Sequence, residues 1–173
     1  AGAGFWIAGE RGIGRAATAA DGSIGCAAWG GAIPDALRHF SNLFEDGDAI
    51  FASARDGDHS RVLTRVTANS VHLLARTKAE QEGICGWSAA DGSVWVCRIG
   101  RGVERLFRRD PDGKETPAPA SKVLSGRITD ISVQPGGVGW IASSFGVARV
   151  APPVWRPFGP SEVANDSITS IAE

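Results

Sequence analysis

The side chains that could do chemistry are few and scattered. Three cysteines, Cys26, Cys85 and Cys97, have no CxxC or other metal-ligand spacing, and an odd number describes no disulfide framework. They read as small apolar residues in strands. Three histidines, His39, His59 and His72, form no HExxH-like pair. Asp46 and Asp91 could ligate calcium, but each precedes a glycine, and turn formation accounts for them without a metal. Gly12-Ile13-Gly14 and Gly100-Arg101-Gly102 have the spacing of phosphate loops but lack a strand-loop-helix setting. No GxSxG and no paired carboxylates in a glycosidase context occur, so no catalytic residue, metal site or cofactor is expected. Trp6, Trp95 and Trp140 could stack on sugar rings. Their regular spacing assigns them instead to packing between structural units.

That regularity is the main feature of the chain. Four strand-like segments, centred on Trp6, Ile50, Trp95 and Trp140, follow one another at intervals of 44, 45 and 45 residues. Each centre is followed by Ile, Phe or Val and then a small residue. Asp46-Gly47, Asp91-Gly92 and Gly136-Gly137 precede three of them and supply the positive φ that hairpin turns require. After the centres, Gly12-Ile13-Gly14-Arg15, Gly102-Val103-Glu104-Arg105 and Gly146-Val147-Ala148-Arg149 share Gly-aliphatic-x-Arg, a glycine turn into the next strand. Arg15, Arg105 and Arg149 thus recur at one place and are assigned a structural role. Arg108-Arg109-Asp110 reads as a solvated hairpin end. Val123–Ile131 and Val163–Ile171 match at an offset of 40 residues, which implies a further unit beginning near the last residue.

The elements that must carry these positions are short strands. Among 173 residues there are 23 Gly and 9 Pro, alongside 43% hydrophobic residues, a composition of many turns between core-forming strands. Helix pairs would need longer runs at 3.6 spacing. Only 32–44 invites a helical turn, and 70–82, ambiguous, leans to strand. A period near 45 with about four strands is that of a propeller blade. The expected fold is all-β: about four blades of four antiparallel strands forming an incomplete ring, as one domain over 1–173. The units run approximately over 1–30, 31–75, 76–120 and 121–160, with 161–173 starting the next blade. Residues 16–40 hold the outer strand of the first unit and the inner strand of the second.

Net charge is −1, which gives no field for nucleic acid or a membrane surface. The longest uncharged stretch, 131–148, is broken by Pro135 and glycines and is no spanning helix. No basic-then-apolar leader is visible, and no Met occurs at any position, so the chain is expected to be cut from something longer.

These motifs resemble the two-component regulator propeller family, whose repeats read Asn-x-Ile-x-x-Ile, then Glu-Asp-x-x-Gly-x-Leu-Trp-Ile-Gly-Thr, then Gly-Leu-x-Arg. The matching stretches are 165–173, Asp91-Gly92-Ser93-Val94-Trp95-Val96 and Gly146-Val147-Ala148-Arg149, with Val154-Trp155-Arg156-Pro157-Phe158 as an outer strand. The sequence departs from the family at Cys97-Arg98 and Ala142-Ser143, where Gly-Thr is usual, and at Ile50, where Trp is usual. The resemblance implies the periplasmic sensor region of a bacterial membrane signalling protein, one that binds a small molecule or oligosaccharide. It also implies further blades and a kinase or cyclase output domain outside this segment, and no enzymatic activity within it. The structural positions of the repeat are then Trp6, Ile50, Trp95, Trp140, Gly47, Gly92, Gly137, Gly12, Gly102 and Gly146. Ligand-binding residues are not assignable. Residues 88–95 are also similar to the Asp-box of sialidase propellers, but with Asp and Gly adjacent. Two alternatives are a streptogramin-lyase-like propeller enzyme, which would need a general base and a metal-binding carboxylate near the ring centre, and a protein-interaction scaffold.

Overall fold

The computed structural model describes residues 4–29, 31, 33–47, 49–77, 83–100, 105–119, 122–134, 136–151 and 156–158. The chain forms two compact units, Ala1–Glu80 and Gln81–Glu173. Among the described residues there is no α-helix, and no helix long and apolar enough to cross a membrane.

The first unit holds two sheets. β1 (Gly4–Ala8), β2 (Ile13–Thr18) and β3 (Ile24–Ala28) pair in that order; β4 (Arg38–Asp46), β5 (Ala49–Arg55), β6 (Arg61–Val66) and β7 (Val71–Arg76) pair likewise. All neighbours are antiparallel. Alternation along the strands decides what is buried. Ile50, Ala52 and Ala54 project from one face of β5 and join Val62 and Val66 of β6, Phe40 of β4, and Ile13 of β2 in one core. Trp6 and Trp29 pack against it. The Trp29 indole N–H donates to the Thr67 carbonyl at 2.9 Å, and the buried Thr64 hydroxyl donates to the Ala52 carbonyl at 3.0 Å, so both polar groups are satisfied within the apolar layer.

β4 is irregular. Its register against β5 slips twice, between Arg38 and Ser41 and between Ser41 and Phe44. Each slip contains a non-glycine residue in the left-handed region, His39 (φ 54°) and Asn42 (φ 51°). The first slip frees the His39 and Phe40 amides to donate to the Glu10 and Gly9 carbonyls, at 2.7 and 3.0 Å, which ties β4 to the β1–β2 loop. Both segments of uncertain type are thus strands or turns: 38–46 is β4, preceded by a turn at Pro34–Leu37, and 71–76 is β7.

The second unit repeats the plan. β8 (Gly83–Ser88), β9 (Val94–Ile99), β10 (Arg105–Arg109) and β11 (Glu115–Pro117) form one four-stranded meander, and β12 (Ile128–Gln134), β13 (Val138–Ser143), β14 (Gly146–Val150) and β15 (Arg156–Phe158) the other. A 3₁₀ turn at Val123–Ser125 precedes β12, and the buried Ser143 hydroxyl donates to the Val123 carbonyl at 2.6 Å. Trp87 is fully buried in β8 and lies on Gly139 of β13; a Cβ there would sit 2.5 Å from the indole. A Cβ on Gly137 (φ 79°) would come within 2.4 Å of the Ser88 carbonyl oxygen. Gly137 is therefore required by close backbone approach as well as by its turn.

Four of the turns share one geometry. In Ala19–Ser23, Asp56–Ser60, Ala89–Ser93 and Asp110–Lys114 the first amide donates to the fifth carbonyl, and the fourth amide donates back to the first carbonyl. The fourth residue is left-handed in each: Gly22, His59, Gly92 and Gly113. The third is always aspartate, whose carboxylate accepts from the fifth amide at 2.9–3.1 Å. This is a type I turn closed by a one-residue bulge.

Candidate functional site

The repeat centres fall on equivalent strands. Trp6 lies on β1, Ile50 on β5, Trp95 on β9 and Trp140 on β13, each paired with the strand that follows it. The first sheet thus consists of strands equivalent to the second, third and fourth of the other sheets. Directly opposite each tryptophan stands an arginine: Arg15 opposite Trp6, Arg108 opposite Trp95, Arg149 opposite Trp140. Ile50 faces Val66. The recurring arginine of the third sheet is therefore Arg108 and not Arg105, which pairs with Arg98. Five residues connect β9 to β10, as they do β5 to β6, against four between β1 and β2 and two between β13 and β14; Gly102 lies in that connection, outside the described residues.

The arginines do two different things. Arg15 stacks over Trp6 at 5.6 Å and Arg149 over Trp140 at 5.9 Å from the ring centres. Arg108 is pulled aside. Its guanidinium donates to Asp91 at 2.6 Å and to the Ser93 hydroxyl at 3.0 Å, with Asp110 at 3.7 Å. The Ala89–Ser93 turn supplies those acceptors directly before the tryptophan strand. In the fourth sheet the equivalent turn carries Gly136 and Gly137, so no acid competes there with the ring. Asp91 is held below the ordinary carboxylate value of 3.8, first by its bonds from the Ser93 hydroxyl and amide, then by the nearby Arg108 charge. It remains ionised and fixes the arginine.

The displaced guanidinium leaves Trp95 as the wall of a cleft of about 660 Å³, within the usual range for small-molecule sites. Asp91, Arg108, Asp110 and Thr116 supply its polar groups; Pro117 at the end of β11 and Pro119 beyond it extend its apolar wall. One cation against two carboxylates leaves these side chains with a net charge of −1. A planar apolar surface beside fixed donors and acceptors suits a polyhydroxylated ligand with one apolar face.

Of the positions singled out by the repeat, Trp95 lines this cleft and Gly92 closes its turn with φ 81°. Gly47 (φ 58°) and Gly146 (φ 131°) each sit at a hairpin connection. Gly12 closes the β1–β2 loop, accepting the Gly9 amide at 2.9 Å. Asp46 lies 3.4 Å from Arg65. Arg108 and Arg109 are strand residues, and the hairpin end is Asp110–Lys114. The sequence marked Trp95 and Asp91 singly. It did not bring Arg108, Asp110, Thr116 and Pro117 to them, because that depends on the register of β10 and β11. The signal that could have found Arg108 is its place in a turn-flanked strand, Arg105–Arg109, ending at a second Asp-Gly.

No protein-family model matches the chain, and no curated protein matches it. Among solved structures it is similar to that of a protein of unknown function from Bacteroides caccae, with a TM-score of 0.52 and 11% identity over 94% of this chain. The chain spans 62% of the length of that structure. At this identity the likeness speaks for the fold alone. Together with the four antiparallel sheets it shows an all-β fold of propeller-type blades.

Proposed function

We propose that this chain is part of a non-catalytic, ligand-binding β-propeller in the extracytoplasmic sensor region of a bacterial signalling protein of the two-component regulator propeller type, and that it takes an oligosaccharide. The observation that carries the reading is the cleft on the third sheet. Trp95 offers a ring on which the C–H face of a sugar can lie, and Asp91, Arg108, Asp110 and Thr116 stand ready to bond hydroxyl groups. Strand scaffolds present such groups without the entropy cost of ordering a loop. In this reading the output domain and further blades belong to the longer protein, and ligand binding is converted to a signal there.

The test is titration of the intact chain with a panel of neutral oligosaccharides, followed by tryptophan fluorescence. A saturable response is expected from at least one of them. Asp110→Asn, which keeps the turn amides, and Trp95→Ala should each weaken it about tenfold, the order of one lost hydrogen bond or ring contact. Recovery of the sugar unchanged supports the binding reading. Silence across the panel, or unchanged affinity in both variants, removes it; a cleaved or eliminated product replaces it with an enzyme.

A further inference from the structure

A second charged cluster lies in the first unit, and the cleft has no part in it. Arg38 stands directly opposite Arg55, and Arg55 directly opposite Arg61, on three adjacent antiparallel strands. Directly opposed residues share a sheet face with their Cβ atoms about 4.5–5.5 Å apart, so the three guanidinium groups form one row. Like charges in that arrangement repel, and sheets normally avoid it.

The neighbouring carboxylates do not relieve the row. Asp56 is paired with Arg76 and accepts the Gly57 amide at 2.7 Å. Asp58 accepts the Ser60 amide and hydroxyl at 3.0 and 2.6 Å and pairs with Arg76 at 3.0 Å. Within the row, Arg38 donates to the Leu37 carbonyl at 2.8 Å, and the Arg61 Nε is buried without a partner. Among the described residues no carboxylate forms a salt bridge with any of the three. Burial, and then the charge of Arg55, disfavours protonated Arg61. Arg38 is exposed, while Arg55 and Arg61 are half-buried, so the row is reachable from solvent.

We propose that Arg38, Arg55 and Arg61 form a binding site for a multiply charged oxyanion, a phosphate or sulfate group. Three guanidinium groups carried on one sheet face offer enough donors for the several oxygens of a tetrahedral anion. The anion would supply the missing counter-charge and an acceptor for the buried Nε. The group can be a free ion or the anionic substituent of a larger ligand; the chemistry at the arginines is shared.

The experiment is thermal unfolding and calorimetric titration of the intact chain with inorganic phosphate and sulfate, against chloride at matched ionic strength, then with a sugar phosphate. Phosphate or sulfate should raise the midpoint saturably beyond the chloride control. Arg55→Gln should leave the anion-free midpoint unchanged or higher, since a repulsion is removed, and weaken anion binding at least about tenfold. Arg38→Gln, at the exposed end, should do the same with little demand on folding. Trp95→Ala should leave the anion response intact, which separates this site from the cleft. A sugar phosphate binding more tightly than inorganic phosphate marks the anion as a substituent, and equal affinities mark a free ion; both support the site. A midpoint rise matched by chloride, or a full phosphate response in both arginine variants, overturns it.

Discussion

At the scale of single residues, His59 carries the clearest energetic signature. It occupies the left-handed position of a turn whose three counterparts have glycine, with φ 65°. A Cβ in that region costs about 1–2 kcal/mol, partly offset by the chain entropy that glycine loses on folding. His59→Gly is therefore expected to stabilise the chain by about 0.5–1 kcal/mol, read from the urea midpoint at unchanged slope. The reverse change, Gly92→Ala, should destabilise by about 1 kcal/mol, because the turn demands the same geometry there. A null result at both positions would mean the turn relaxes freely. The arginines opposite Trp140 and Trp95 make a related point: the same pairing gives a stacked cation where the preceding turn carries Gly136 and Gly137, and a carboxylate-bound one where it carries Asp91.

Between elements, the second unit is held where Trp87 of β8 lies on Gly139 of β13. The indole is fully buried and the glycine offers no side chain, so the two strands approach through a ring laid on backbone. Gly139→Ala would insert a methyl group 2.5 Å from the ring. Overpacking of this kind costs about 1–3 kcal/mol, and the expected result is a lower unfolding midpoint with the Trp95 cleft displaced. Val138→Ile, next to it on the other face of β13, serves as the comparison and should cost less than about 1 kcal/mol. Equal stability of Gly139→Ala and the parent chain would show that β8 and β13 can separate without loss.

For the whole molecule, three aspartates on equivalent turns couple folding to pH. Asp21, Asp58 and Asp91 are each held below 3.8, chiefly by the hydroxyl and amide of the serine two residues on. A depressed folded value means that the unfolded chain takes up protons first as pH falls. The stabilisation is complete above the unfolded value and is lost as pH drops from about 4 through the lower folded values. The urea midpoint should therefore fall between about pH 5 and pH 3, and the combined change of Asp21, Asp58 and Asp91 to Asn should flatten that fall while lowering stability at neutral pH. An unaltered pH profile in the triple variant would place the acid sensitivity elsewhere.

The sequence by itself determined the all-β class, the 45-residue rhythm and the strands that carry Trp6, Ile50, Trp95 and Trp140, because alternation and turn chemistry are local properties. Even so, local patterning left 32–44 open to a helical turn, and only pairing to β5 and to the β1–β2 loop drew Arg38–Asp46 into a bulged strand. The tertiary structure alone decided which side chains meet. Arg108 rather than Arg105 faces Trp95 because of the register in which β10 pairs with β9, which the Gly-aliphatic-x-Arg spacing does not reveal. The same holds for Trp87 on Gly139, for the Trp95 cleft and for the row of Arg38, Arg55 and Arg61, whose members are separated along the chain and adjacent only across strands. Pairing energies depend on what stands opposite, and what stands opposite is fixed by strand register and packing between sheets.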